Sequence, residues 1–215
     1  MISTAELQAS PTPAGWQETD LYRFFAHALA SPTRERCRLL HSREFTTSLR
    51  QLWNEFHCDG EFPSLVRFRS YGQYESTYIA LFDVGMPAPP VPLAESGHFK
   101  AVPAQQIALE NVLFYEVLGL KVDTAGTFAD HLQTQLQFLS AVRYAAENGT
   151  GDANRESLLR LERDFLQRHL LSWLPAAERK LRKLDPPLFP ALLRLLVAFL
   201  QDRLKQSESL LDARS

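Results

Sequence analysis

Cysteine is scarce, neither sign of charge dominates, and no apolar run is long enough to cross a bilayer. The chain has 215 residues and 2 cysteines, Cys37 and Cys58, which form no Cys-x-x-Cys pair. A chain of this size needs no disulfide to fold, so they read as reduced thiols of a cytosolic protein. A formal net charge of -2 with 22% charged residues leaves no broad basic face for neutralising phosphates, which argues against a nucleic-acid partner. The most apolar stretch, Leu188 to Leu200, is broken by Pro190 and Arg194 and is too short to span a membrane, so no stable membrane insertion is expected. Met1 to Gly15 carries Glu6 but no lysine or arginine and no apolar run, so it lacks both parts of a secretory signal.

Catalytic apparatus is missing as well. No His-Glu-x-x-His or paired-cysteine spacing offers a metal site, and His57-Cys58-Asp59 is a weak cluster whose adjacent side chains diverge. No Gly-x-x-x-x-Gly-Lys loop cradles a phosphate, and no Gly-x-Ser-x-Gly elbow presents a nucleophile. No catalytic residue, metal or cofactor is therefore assigned, and the chain is not expected to be an enzyme.

What is present is helical periodicity, with 45% hydrophobic residues available for a core. Residues 1–18 read as a disordered leader and 19–215 as one all-α domain, a helical bundle. Helices are expected over Asp20–Leu29, Pro32–Leu40, Thr46–Phe56, Pro63–Phe82 with a bend or break at Gly72, and Ala104–Leu120. Further helices are expected over Thr127–Ala146, over the amphipathic stretch from Leu158 to a stop at Pro175, over a short basic segment, and over Phe189–Leu211. Ala104–Leu120 is apolar on more than one face and is expected to be central. Thr127-x-x-Asp130 has capping-box spacing, which would put His131 in the first turn of its helix. Gly149-Thr150-Gly151 reads as a helix stop.

Between these helices lies a proline-stiffened loop, Val84 to about Pro103, containing Pro87, Pro89, Pro90 and Pro92. Proline fixes φ and removes backbone donors, so the segment runs extended or in turns. Charge is unevenly distributed around it. Tyr71 to His131 has seven acids against Lys100 and Lys121, a net of -5, whereas Arg155 to Lys183 has a net of +4. Complementary solvated faces and an acidic site for a basic peptide both fit that pattern.

The spacings Tyr78-x-x-Leu81-Phe82, Pro89-Pro90-x-Pro92-Leu93-x-Glu95-Ser96, Glu110-x-x-x-Phe114-Tyr115-x-x-x-Gly119-Leu120 and Asp130-His131-Leu132 resemble the TorD/DmsD/NarJ family of redox-enzyme maturation chaperones, over roughly Tyr71 to Pro175. The resemblance implies a TorD-like helical fold. It also implies a cytoplasmic chaperone that binds the twin-arginine signal peptide and the apo form of a molybdenum-containing oxidoreductase subunit, assisting cofactor insertion and delaying export. The family occurs as monomers and as helix-swapped dimers. The resemblance further implies that the Asp130-His131 pair lines the peptide groove, with Asp130 offered to a guanidinium as a charge-assisted partner. Leu81, Phe82, Pro92 and Leu93 would receive the apolar part of the leader, Glu95 its arginines, and Tyr78 and Ser96 complete the candidate set.

For Tyr78, Leu81 and Phe82 the competing reading is core packing, and for Asp130 and Glu95-Ser96 it is helix capping. This chain has Ala129 where the family often has proline, and Leu93 where some members carry an aromatic residue. The loop spelling Asp-Val-Gly-x-Pro-x-Pro-Pro-x-Pro-Leu is similar to members serving respiratory or hydrocarbon-oxidising dehydrogenases and chlorate- or selenate-type reductases. Two other classes stay open: a helical nucleotide- or molybdenum-cofactor-binding protein or enzyme without a recognisable motif, and a helical regulator supported only by the basic Arg179-Lys180-x-Arg182-Lys183 cluster.

Overall fold

The computed structural model describes residues 18–56, 58, 61–63, 65, 67–121, 128–149 and 151–212. The leader assigned to residues 1–18, apart from Glu18, lies outside them, as do Thr127 of the capping-box reading, His57 and Asp59, and Thr150. The fold is all-α. Its helices are α1 (Glu18–Ala28), α2 (Arg34–Leu40), α3 (Arg43–Glu55), α4 (Tyr71–Tyr78), α5 (Ala104–Val117), α6 (Leu132–Asn148), α7 (Asp152–Phe165), α8 (Leu171–Leu184) and α9 (Phe189–Asp212). Among the described residues the β-type pairing is a single isolated antiparallel bridge, Ala94 to His131.

Hydroxyl caps fix several helix starts. Thr33 accepts from the Arg36 N–H at 3.1 Å, Ser42 from Phe45 N–H at 3.0 Å and Ser70 from Gln73 N–H at 3.2 Å, each answering one of the donors that a first helical turn leaves unpaired. The Ser70 cap explains a correction. The helix expected from Pro63 begins only at Tyr71, so of the bend or break expected at Gly72 the structure has the break, with Gly72 in the opening turn. At the far end of α5, Gly119 adopts φ 66°, with Leu120 N–H donating to Tyr115 O and Gly119 N–H to Glu116 O, a left-handed stop that ends the helix before Leu120.

Two π turns, Ile79–Asp83 and Leu166–Leu170, extend α4 and join α7 to α8. The second accounts for Pro175, which was expected to stop its helix but lies inside α8. The buried seam runs from Leu158 to Leu181 in six steps, about 3.8 residues each against 3.6 for a regular helix, and one wide turn absorbs the surplus. The ladder is reset just ahead of the proline, so the helix continues past it.

One cluster of buried residues runs from Leu21 to Leu200. α1 packs on α6, α6 on α7, and α9 on α7 and α8. Phe199 receives the rings of Tyr22 at 5.0 Å, Phe56 at 5.4 Å and Phe25 at 5.8 Å. Phe189 gathers Phe82 at 5.1 Å, Phe68 at 5.7 Å, Tyr78 at 6.1 Å and Tyr74 at 6.2 Å. The apolar helix expected at the centre is peripheral. α5 buries Ile107, Asn111 and Tyr115 and leaves Leu109, Leu113 and Val117 exposed.

Candidate functional site

The proline loop and the Asp130-His131 pair, far apart in sequence, are brought together. Backbone bonds run from Glu95 N–H to Asp130 O (2.9 Å) and from Leu132 N–H to Leu93 O (2.8 Å), and the Ser96 N–H donates to Asp130 Oδ2 at 2.9 Å. The upstream end is tied by Val91 N–H to Leu81 O (2.9 Å), and His98 Nε2 lies 2.8 Å from Pro92 O while its ring stacks on Trp173 at 4.6 Å. Gly97 is required by this fold-back, because a Cβ there would lie 2.5 Å from Pro92 Cγ. His131 caps α6, its Nδ1 facing the Gln133 N–H at 3.2 Å, and so stands one position before the first turn in which it was expected.

The side chains of the candidate set divide. Tyr78, Leu81, Phe82, Leu93, Glu95 and Asp130 are buried, and Pro92, Ser96 and His131 are half-buried. The apolar residues expected to line an open groove are core residues here. Tyr78 also donates its hydroxyl to Leu29 O at 3.1 Å, and burial holds its pKa above the ordinary tyrosine value.

Glu95 turns inward. Its Oε2 accepts from Gln135 Nε2 at 2.6 Å and Asn111 Nδ2 at 3.1 Å, and His169 Nδ1 lies 3.1 Å from both carboxylate oxygens. Tyr115 closes the cluster, donating to Ala129 O at 2.6 Å, with burial and then the charges of Glu95 and Asp130 raising its pKa. A carboxylate so engaged under α5 fastens the loop and is closed to a guanidinium from outside.

Sequence reasoning missed this cluster, and a second one around Glu162. That fully buried carboxylate accepts from Tyr22 Oη (2.8 Å), Arg203 Nη2 (3.2 Å), Ser207 Oγ (3.3 Å) and Arg143 Nη1 (3.4 Å). The signal for both was a polar residue standing on an apolar seam. Asn111 lies between Ile107 and Tyr115, His169 between Phe165 and Trp173, and Glu162 between Leu158 and Leu166, while Arg203 follows Phe199 and Leu200.

The histidines around the loop give a pH dependence. Burial lowers the pKa of His98 below 6.5, against the opposing bond to Pro92 O, and lowers that of His131 against the charge of Asp130. Below about pH 6.5 the unfolded chain takes up protons before the fold does, so stability present above that pH is lost as pH falls through it. The urea midpoint is expected to drop between pH 7.5 and 5.5, and the drop should shrink in His98→Gln. An identical drop in that variant would show that His98 contributes nothing to it.

The sequence model of the nitrate reductase delta subunit family matches residues 42–179, a span that takes in both halves of the loop clasp. The chain belongs to this family, that of the TorD/DmsD/NarJ redox-enzyme maturation chaperones. Among its family relatives, the perchlorate reductase assembly chaperone protein of Dechloromonas aromatica is 30% identical over 157 residues, covering 71% of this chain and 69% of that one. The selenate reductase assembly chaperone protein of Thauera selenatis is 34% identical over 115 residues, 52% of this chain and 58% of that one. The chaperone protein TorD of Vibrio cholerae is 34% identical over 112 residues, 50% of this chain and 48% of that one.

Proposed function

We propose that this chain is a cytoplasmic, non-catalytic chaperone that holds the twin-arginine leader and the cofactor-free body of a molybdenum-containing oxidoreductase subunit until the subunit is complete. The observation that carries the reading is the family span 42–179, whose two marked segments, Pro92–Ser96 and Asp130–His131, meet in one built clasp. Relatives named as assembly chaperones for perchlorate and selenate reductases support the choice of client. Among the described residues no helix is long and apolar enough to cross a membrane, which suits a holder that stays apart from the bilayer.

In this reading Pro92, Ser96 and His131 form the half-open rim that meets the peptide, with the Asp130 carboxylate directly behind it. Tyr78, Leu81, Phe82, Leu93 and Glu95 hold that rim in place from within. Arg160, Arg163 and Arg182 of the basic segment pair with Glu156, Asp164 and Glu178 on their own helices, not with the acids of the middle segment. An arginine of the leader competes with the Ser96 N–H for Asp130, and hydrogen bonds to charged groups are worth about 1.5–3 kcal/mol. Titrating a labelled twin-arginine peptide against the wild type and Asp130→Asn, which keeps an acceptor for Ser96, is expected to show about tenfold or greater weakening. Equal affinity in both would remove Asp130 from the site.

A further inference from the structure

α5 is built inside out. Its inward stripe carries Asn111 and Tyr115, held by the polar cluster around Glu95, while its outward stripe is Leu109, Leu113 and Val117, exposed by 58%, 55% and 65%, with Leu120 continuing it past the helix end. Residues four apart share a helix face, so Leu109, Leu113 and Val117 form one ridge, about 12 Å long at 1.5 Å per residue. Polar side chains alone would have been enough for an outer face meant only for water.

The charges on α5 itself are all of one sign, and Lys121 stands just past its end. Glu116 and Glu110 flank the ridge on its two sides, and Ala104–Val117 contains no lysine or arginine. Arg168 lies over the Phe114 ring at 5.6 Å, about 100° round the helix from Leu113 and one turn from Glu110, so the Glu116 flank is the more strongly negative of the two. The negative end of the helix dipole falls at Val117, adding to Glu116.

This pattern decides between two occupants. Because Glu110 and Glu116 lie on opposite sides of the ridge, antiparallel pairing with a second copy would bring each acid to the side of its own counterpart, and parallel pairing would bring Glu110 to the side of the partner's Glu116; both gather like charges. A segment with an apolar run and neighbouring basic residues meets the ridge with leucine on leucine and base on acid. A leader peptide has that make-up: a positively charged stretch ahead of an apolar run of about 7–15 residues, which as a helix is about 10–22 Å long.

We propose that the outward ridge of α5, Leu109, Leu113 and Val117 with Leu120, is the docking surface for the apolar run of the client's leader, with Glu110 and Glu116 engaging its arginines. The inference rests on the leader-binding reading above and supplies the apolar surface that the buried Leu81, Phe82 and Leu93 do not. The rim at Asp130 and the ridge then share the leader's arginines, and the ridge alone takes its apolar run.

The test uses the full chain and a fluorescent peptide with two adjacent arginines followed by a leucine-rich run, titrated by anisotropy. Leu113→Gln and Leu109→Gln, both solvent-facing, are measured singly, with circular dichroism and thermal midpoints confirming the fold. Each is expected to weaken binding about tenfold at low and high salt alike, and Glu110→Gln with Glu116→Gln to weaken it several-fold and flatten its salt dependence. Wild-type binding that both leucine variants retain unchanged overturns the ridge and leaves the leader reading standing. No binding by the wild type defeats the leader reading, and the ridge with it. A wild-type dimer in sedimentation that Leu113→Gln dissociates would show a second copy on the ridge and overturn the proposal.

Discussion

Glu162→Ala is expected to lose about 3–5 kcal/mol of folding stability, much of what a small domain possesses. The carboxylate is fully buried and bonds Tyr22, Arg143, Arg203 and Ser207, so it ties α1, α6 and α9 to α7. Removing it takes a buried carboxylate from guanidinium groups at 2% and 10% side-chain exposure, of which Arg143 keeps Glu147 at 3.4 Å. Burial, and next the charge of Glu162, hold the Tyr22 hydroxyl well above its ordinary pKa. Urea unfolding should therefore show a much lower midpoint with an unchanged slope. Glu162→Leu combined with Arg203→Met should recover part of the loss, since the Arg203 guanidinium is removed together with the carboxylate that it bonds. Glu156→Ala, which removes a solvent-facing pair with Arg160, should scarcely move the midpoint, and a loss there as large as at Glu162 would defeat the argument.

Phe189→Ala is expected to cost a similar amount, about 3–5 kcal/mol, as for large-to-small changes in tightly filled cores. Phe189 opens α9 and is completely buried among Phe68, Tyr74, Tyr78 and Phe82. Phe82 belongs to the π turn from which the proline loop departs and Tyr78 immediately precedes that turn, so the cavity falls under the loop's anchor. Limited proteolysis should then cut between Val84 and Lys100 sooner than in the wild type, while Phe128→Ala, at a ring 72% exposed, should leave both stability and cutting nearly unchanged. A Phe189→Ala variant that unfolds at the wild-type urea midpoint would show the rings to be dispensable.

Helix order and the all-α class were legible because apolar periodicity and proline breaks are local signals. Helix starts were less so, since Ser42 and Ser70 act as caps only once the chain has turned to bring their hydroxyls onto the next N–H groups. Placement of α5 was misjudged because counting apolar residues does not say which of two apolar faces meets the core, and here Asn111 and Tyr115 decide it. For the candidate site, the sequence drew attention to segments that the fold brings together, but not to the direction of their side chains. Glu95 and Asp130 look like surface acids in a polar loop. Only the bridge between Ala94 and His131 turns Glu95 toward Asn111, Gln135 and His169.

That bridge cannot grow. Pro92, Pro90 and Pro89 precede its loop strand and have no N–H to donate, while α6 begins at Leu132 on the other side, so pairing ends almost where it starts. The protein thus closes a long excursion of its chain without creating a sticky edge onto which a neighbouring molecule, or an unfinished client rich in unsatisfied backbone, could be templated as an added strand.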